Sequence, residues 1–230
     1  MKFIPNLLTG TFIKRYKRFF VDIKYKNKEI TAHCPNSGSM MGLLDKGNQV
    51  WISKSKNPER KLKYTLEIIK IKNDLVGVNT QLTNKIVFEA LNGNKISEFI
   101  NLNKIKAESV FDKETRFDFL ILKNKKRHFL EVKNVTLVRK NNIAEFPDAI
   151  TNRGTKHLLK LIEAKQGGFE SSMLYLIQRE NCNTFKIAED IDKNYKIAFD
   201  KAKKSGVKIL CYDCHINHEE VILNRKIKLV

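Results

Sequence analysis

Near residue 80 the hydrophobic pattern of this chain changes period, and no single layer of secondary structure accommodates both halves. Before that point, short runs rich in β-branched and aromatic residues occupy 11–13, 19–25, 29–33, 49–53, 64–72 and 75–78. Turn signals separate them at Asn27-Lys28, at Pro35-Asn36-Ser37-Gly38-Ser39 and at Asn73-Asp74. So many short strands in so little chain predict a small closed barrel, because closure removes exposed strand edges. Beyond Thr80 helical and strand periods alternate. Helices are expected over 84–91, over 151–165 with Thr151 as cap, and over 192–204; strands are expected near 107–111, 116–122, 128–134, 173–178 and 207–212. This reads as an α/β unit over 81–230 following a barrel over 1–80.

Charge narrows the function. The chain of 230 residues carries 44 Lys and Arg against 25 Asp and Glu, a formal charge of +19. Such an excess points to a polyanionic partner, nucleic acid first, although codon usage in an AT-rich genome also enriches Lys, Asn and Ile. Residues 1–80 hold 16 of the cations and 6 of the acids, so the first third carries more than half of the net charge. There Arg15, Lys17 and Arg18 interleave with Tyr16, Phe19 and Phe20, and Arg60, Lys61 and Lys63 lead into Tyr64. Cations with adjacent rings track phosphates and stack bases, which makes an oligonucleotide-binding (OB) barrel the economical form of the N-terminal unit. The competing reading has the rings facing the core and the cations solvated.

Other classes are disfavoured. Charged residues interrupt every apolar run well before membrane-spanning length, so no membrane partner is expected. The start Met1-Lys2-Phe3-Ile4-Pro5-Asn6 has no export signal, and a cytoplasmic location is expected. Four cysteines are too few for a disulfide scaffold. Cys211-Tyr212-Asp213-Cys214-His215, with His218 nearby, has the spacing of a haem attachment site, but it continues an apolar strand whose positions i and i+3 face opposite ways. His33-Cys34 lacks an acidic orienting group for nucleophilic chemistry.

The most informative constellation spans the polar break at 123–127. Asp118 lies in the apolar run Arg116-Phe117-Asp118-Phe119-Leu120-Ile121-Leu122, and Glu131-Val132-Lys133 lies in the next. A carboxylate among apolar neighbours needs compensation, and a divalent cation supplies it. If Asn124-Lys125 form a two-residue turn, Lys123 pairs with Lys126 and Asp118 falls opposite Glu131, with Lys133 on the Glu131 face. Two carboxylates that hold Mg²⁺ or Mn²⁺, plus an ammonium for developing negative charge, are what phosphodiester cleavage requires. The bland alternative is a solvated hairpin in a Lys-rich chain. Further along, Phe146-Pro147-Asp148 precedes Arg153, Lys156 and His157 at a helix start. These either aid phosphate binding beside the same sheet or form a turn, a cap and a satisfied surface histidine.

Asp118 followed by Glu131-Val132-Lys133 resembles the core of the PD-(D/E)XK nuclease superfamily, and Glu89 then matches in order the acidic residue that a preceding helix contributes in many members. Phe117 stands where the superfamily pattern has proline. Over almost the whole chain, Arg15-Tyr16-Lys17-Arg18-Phe19, His33-Cys34-Pro35-Asn36-Ser37-Gly38-Ser39-Met40, Asn57-Pro58-Glu59-Arg60-Lys61, Gly77-Val78-Asn79-Thr80, Glu131-Val132-Lys133-Asn134-Val135-Thr136-Leu137 and Arg153-Gly154-Thr155-Lys156-His157-Leu158 resemble the SfsA, or sugar fermentation stimulation, family. Ser37 and Asn152 depart from it, standing where Thr and an acidic residue are expected. The resemblance implies an N-terminal OB-fold, a C-terminal restriction-endonuclease-like α/β domain, DNA binding, and a regulatory role in maltose metabolism. The expectation is therefore a DNA-binding protein contacting mainly phosphates, with Mg²⁺ or Mn²⁺ at Asp118 and Glu131 and neither haem nor a nucleotide cofactor. A Mg²⁺-dependent nuclease, an RNA-binding barrel and a non-catalytic binding module are the rivals.

Overall fold

The computed structural model describes residues 1–140 and 142–230. In the N-terminal unit, β1 (Leu8–Tyr16), β2 (Phe20–Tyr25), β3 (Lys28–His33), β4 (Gln49–Lys54) and β5 (Tyr64–Ile71) form a sheet ordered β3-β2-β1-β4-β5. Pairing of His33 on β3 with Thr65 on β5 closes it into an OB barrel, and β6 (Asp74–Gly77) adds to β5. Period-2 alternation sends Phe12, Val21, Ile23, Ala32, Val50, Ile52 and Leu66 into its core. The turn at Lys26-Asn27 is tight because both residues take positive φ.

A 3-10 turn at Thr80–Leu82 leads into the second unit. It contains α1 (Thr83–Asn92), β7 (Lys104–Val110), β8 (Arg116–Lys123), β9 (Lys126–Val135), β10 (Leu137–Val138), β11 (Ile143–Phe146) and α2 (Asn152–Gln166). After these come β12 (Glu170–Ile177), β13 (Thr184–Ile187), α3 (Lys193–Lys204), β14 (Lys208–Ile216), β15 (Val221–Lys226) and β16 (Lys228–Leu229). The central sheet runs β15-β14-β12-β9-β8-β7, with β9, β12 and β14 parallel. Helix α1 covers one face; α2 and α3 cover the other. Thr151 caps α2 by accepting from the Gly154 amide, as the sequence predicts. Cys211 packs on the α2 face and Cys214 on the α1 face, so the thiols of the haem-like spacing diverge.

The two units are bound to each other through several contacts. Ile68 and Trp51 of the barrel pack into the α1-side core. Gly77 donates its amide to the Gln178 carbonyl at 3.0 Å, and a Cβ at Gly77 would lie 2.3 Å from the Gln178 side-chain oxygen. Ser39 Oγ donates to the Asp148 carbonyl at 2.6 Å, and the Met40 amide donates to its carboxylate at 3.0 Å. Residues 1–3, which the sequence assigns to the barrel, instead pair with Glu219, Glu220 and Val221 of the second unit. Among the described residues no helix is long and apolar enough to cross a membrane.

Candidate metal and phosphate site

The hairpin that builds the site has the expected register. Asn124 and Lys125 both take positive φ, Lys123 pairs with Lys126, and the β8–β9 ladder continues to Phe119 opposite Leu130. There it stops, one pair short of Asp118 and Glu131. Alternation slips at Asp118: the Phe117 ring packs on Phe129 toward α2, whereas the Phe119 ring packs on Phe88 of α1. On the other neighbour of β8, Glu108 of β7 takes φ +49° at the level of Asp118. Asp118 and Glu131 are therefore not a ladder pair, although they lie close enough for the Glu131 charge to act on Asp118. Its carboxylate accepts from the Val132 amide at 2.7 Å and from Asn84 Nδ2 at 2.7 Å.

Glu131 follows the expectation more closely. It is 3% exposed, and its Oε1 accepts from Lys133 Nζ at 2.8 Å, so the two side chains share a face. His157, buried on α2, reaches the same oxygen through Nδ1. Arg153 Nε donates to His157 Nε2 at 3.4 Å. A neutral imidazole satisfies both contacts when Nδ1 carries the proton, which leaves Lys133 Nζ, 3.3 Å from Nδ1, as a neighbouring charge that bonds the carboxylate.

Burial and neighbours split the two carboxylates electrostatically. Burial, reinforced by the Glu131 charge, pushes Asp118 up to about 6 despite the two hydrogen bonds it accepts. Burial also acts to raise Glu131, but the Lys133 charge and the His157 hydrogen bond outweigh it and hold that carboxyl below its usual range. Glu131 Oε2 is buried and has no hydrogen-bond partner. An orphaned carboxylate oxygen is costly, and a cation beside it would remove that cost. The donor set of two carboxylates with one unused buried oxygen fits a hard divalent ion, although no group of three or more His, Cys, Asp or Glu side chains is clustered to hold a metal among the described residues.

The remaining residues named from sequence divide sharply. Glu89 lies on α1, but its carboxylate pairs with the Met1 ammonium at 2.7 Å. The helix points Asn84 of its first turn at Asp118, and Glu89 is five residues, about 7.5 Å of helix rise, further on. Asn84, not Glu89, is the α1 side chain that bonds Asp118. Arg15 is not a free phosphate ligand: its guanidinium donates to the carbonyls of Arg18 at 2.8 Å, Asn36 at 2.7 Å, Gly38 at 3.0 Å and Ser39 at 3.3 Å. It clamps the loop that docks on Asp148. Lys17 and Arg18 are exposed on a left-handed turn, and Lys61 and Lys63 are exposed beside β5. Arg60 contacts His33 Nδ1 at 3.3 Å. Lys156 pairs with Glu114 at 2.8 Å, while the exposed Arg153 and Asp118 line one open concavity at the β7–β8 hairpin.

Sequence reasoning left His157 between two readings and missed Asn84 altogether. Thr151 at a helix start and the four-residue spacing from Arg153 to His157 are the available signals for the first. Asn84 gives no chemical signal of its own.

Comparison with known proteins agrees with this architecture. The family description "SfsA N-terminal OB domain" matches residues 13–78, and "Sugar fermentation stimulation protein RE domain" matches residues 81–220. A sugar fermentation stimulation protein homolog of Pelagibacter ubique is 56% identical over 230 residues, covering 100% of this chain and 99% of the relative. A homolog of Bartonella quintana is 41% identical over 231 residues, covering 100% and 99%. The fold is also similar to the solved structure of Pyrococcus furiosus SfsA in complex with Ca²⁺, with a TM-score of 0.91 and 22% identity, covering 100% of this chain and 98% of that one. With both domains matched in order and full-length relatives at this identity, the chain belongs to the sugar fermentation stimulation protein family.

Proposed function

We propose that this protein binds DNA through the phosphate backbone, with little preference for base sequence, and holds a divalent cation at Asp118 and Glu131 where a phosphate approaches. The observation that carries the reading is Glu131 Oε2, a buried carboxylate oxygen without a partner beside a second carboxylate, in a chain of charge +19. Two carboxylates repel an approaching phosphate unless a cation stands between them and it. The Ca²⁺ complex of the Pyrococcus furiosus relative supports a hard-ion site. Exposed Lys17, Arg18, Lys61, Lys63 and Arg153 supply charge that neutralises phosphates without reading bases. Backbone binding of this kind would underlie the regulatory role in maltose metabolism that the family resemblance implies.

When bound, the cation would polarise a phosphoryl oxygen and acidify a coordinated water. The chain's own residues hold the rest of the arrangement. Asn84 and the Val132 amide orient the Asp118 carboxylate, His157 and Lys133 orient Glu131, and Lys133 presents positive charge beside both. That placement favours Mg²⁺-dependent phosphodiester cleavage as the second reading. Anisotropy titrations of unrelated duplexes should give affinities that fall linearly in log-log form as salt rises; a salt-independent affinity would sink backbone binding. Incubation of single-stranded and duplex DNA with Mg²⁺ or Mn²⁺ decides the second reading: products that vanish in Asp118→Ala establish cleavage, and intact DNA rejects it.

A further inference from the structure

A cleft of about 340 Å³ lies between the barrel and the α/β unit, starting one residue beyond Lys133 along β9. The 36–38 loop of the barrel forms one wall, and the end of β9 with the 145–151 segment forms the other. The walls are fixed against each other, because Asp148 holds Ser39 and Met40 while Arg15 holds the carbonyls of the loop. Gly38 permits the approach: a Cβ there would lie 2.5 Å from an Asp148 carboxylate oxygen. Several polar groups in the cleft are unused. Thr136 is 6% exposed, yet its hydroxyl makes no hydrogen bond among the described residues, whereas its carbonyl accepts from Arg179. Asn134 engages Gln178 through Oδ1 at 2.6 Å, and its Nδ2 donates to no described residue. Asp148 accepts from the Met40 amide through Oδ2, and its Oδ1 accepts from no described residue. Pro147 and the 74% exposed Ile150 add apolar surface, and the exposed Arg18 stands at the rim.

We infer that this cleft takes one nucleotide turned out of the bound DNA, with its base between the two units and its phosphate on Arg18. This rests on the DNA-binding reading and adds what happens to the strand beside the cation site. Glu145 is neutralised by Arg139 and Lys186, but Asp148 has no ion-pair partner among the described residues and repels an anion from the interior. The interior therefore suits the neutral part of a ligand, and only the rim suits a phosphate. A nucleobase is flat, with apolar faces and an edge of donors and acceptors. Pro147 and Ile150 would cover a face, while Asn134 Nδ2 donates, Asp148 Oδ1 accepts and the Thr136 hydroxyl does either. So mixed a set serves the edge of any base, in keeping with binding that ignores sequence. The volume is that of a small-ligand pocket, and such pockets gather at domain interfaces. Position agrees with chemistry. Thr151 at the start of α2 lines the cleft, and Arg153, two residues on, lines the concavity that holds Asp118. Along β9, Glu131 and Asn134 are about 10 Å apart, so a strand with a phosphate at the cation carries a neighbouring nucleotide past the cleft.

The test uses the full chain, a fluorescein-labelled matched duplex, the same duplex with a single-nucleotide bulge, and free deoxythymidine monophosphate, all at one salt concentration. The bulged nucleotide is already unpaired, so that duplex should bind the wild type about tenfold more tightly than the matched one. Ala149→Trp fills the cleft from an exposed position, and should abolish the preference while leaving the matched duplex within about twofold. Thr136→Val removes the hydroxyl with little change of shape, and should weaken the bulged duplex about threefold. Equal affinity for the two duplexes, or a preference that survives Ala149→Trp, overturns the cleft as a nucleotide site while DNA binding stands. Saturable binding of the free monophosphate, lost in Ala149→Trp, together with equal affinity for the duplexes makes the ligand a free nucleotide and overturns its assignment to the strand. Failure to bind either duplex overturns the DNA-binding reading itself. Ala149 is exposed, so the thermal melt of Ala149→Trp should match the wild type and exclude misfolding as the cause.

Discussion

In the α/β domain the chemically interesting charges are withdrawn from water: Glu131 is 3% exposed and shares its contacts with Lys133 and His157, and Asp118 is held by an amide and a carboxamide. In the barrel the corresponding residues stand in solvent, with Lys17 and Arg18 on a left-handed turn and Lys61 and Lys63 beside β5. A buried charge interacts strongly with a few neighbours and depends on each of them, whereas an exposed charge contributes mainly to the field around the molecule. The same residue types therefore carry different information in the two regions. The buried set points to a ligand through its one unsatisfied oxygen, and the exposed set points to a partner through its sum.

The largest expected effect tests the buried side. Glu131→Ala leaves the Lys133 ammonium and the buried His157 without their shared acceptor, and should destabilise the fold by about 3–5 kcal/mol in urea unfolding. Adding Lys133→Met should recover part of that loss, because the uncompensated charge then goes as well. If Glu131→Ala costs as little as a surface change, the cluster is solvated and the comparison fails.

Asp118 sharpens it. Folding raises its pKa from 3.8 to about 6, so the protonated form is the one the fold favours. The stability it contributes is complete below about pH 4 and is lost as pH rises through about 6. Without metal, Asp118→Asn should therefore be more stable than wild type at pH 7, by about 1–3 kcal/mol, and should flatten the stability profile between about pH 4 and 6. Asn84 can turn its carboxamide to accept from the new amide, so the substitution need not orphan a donor. Millimolar Mg²⁺ should raise the melting temperature of wild type and not of the variant, since only the ionised pair gains from the cation. A variant less stable than wild type at pH 7 would make Asp118 a purely structural hydrogen-bond acceptor.

The contrast between regions also explains what could be seen in the sequence. The barrel strands were legible because each is a short alternating run closed by turn residues, and the β8–β9 register was legible because Asn124-Lys125 admits a two-residue turn. Glu131 and Lys133 followed from parity alone. Asp118 did not, because side-chain alternation breaks between Phe117 and Phe119, and nothing in the run from Arg116 to Leu122 marks the break. Asn84 and His157 come from helices whose docking is decided by the sheet, so strand parity has no access to them. For the same reason strand parity could not show that Glu89 on α1 pairs with the Met1 ammonium. The second sheet, β10-β11-β13-β16, has strands of two and four residues, too short for any period to register. Arg15 reads as one more cation, and only the fold of the 36–39 loop around it reveals a clamp.

Arg15 and Arg18 give the finest test, since they are three residues apart and fall on opposite sides of the comparison. Arg15→Ala removes donors to four carbonyls of the turn and the docking loop, and should lower stability by about 1–2 kcal/mol. Arg15→Lys should recover little, because a single ammonium cannot span carbonyls that a planar fork reaches. Arg18 makes no such contacts through its exposed side chain among the described residues, so Arg18→Ala should leave the unfolding free energy within about 0.5 kcal/mol of wild type. Its effect should surface in DNA binding: the log-log salt slope should shrink by about one, equally for unrelated sequences, as expected for the loss of one phosphate contact. Arg15→Ala should leave that slope alone once folded protein is counted. Were the two variants to swap these outcomes, the turn at Lys17-Arg18 would be structure and the clamp would be the DNA ligand.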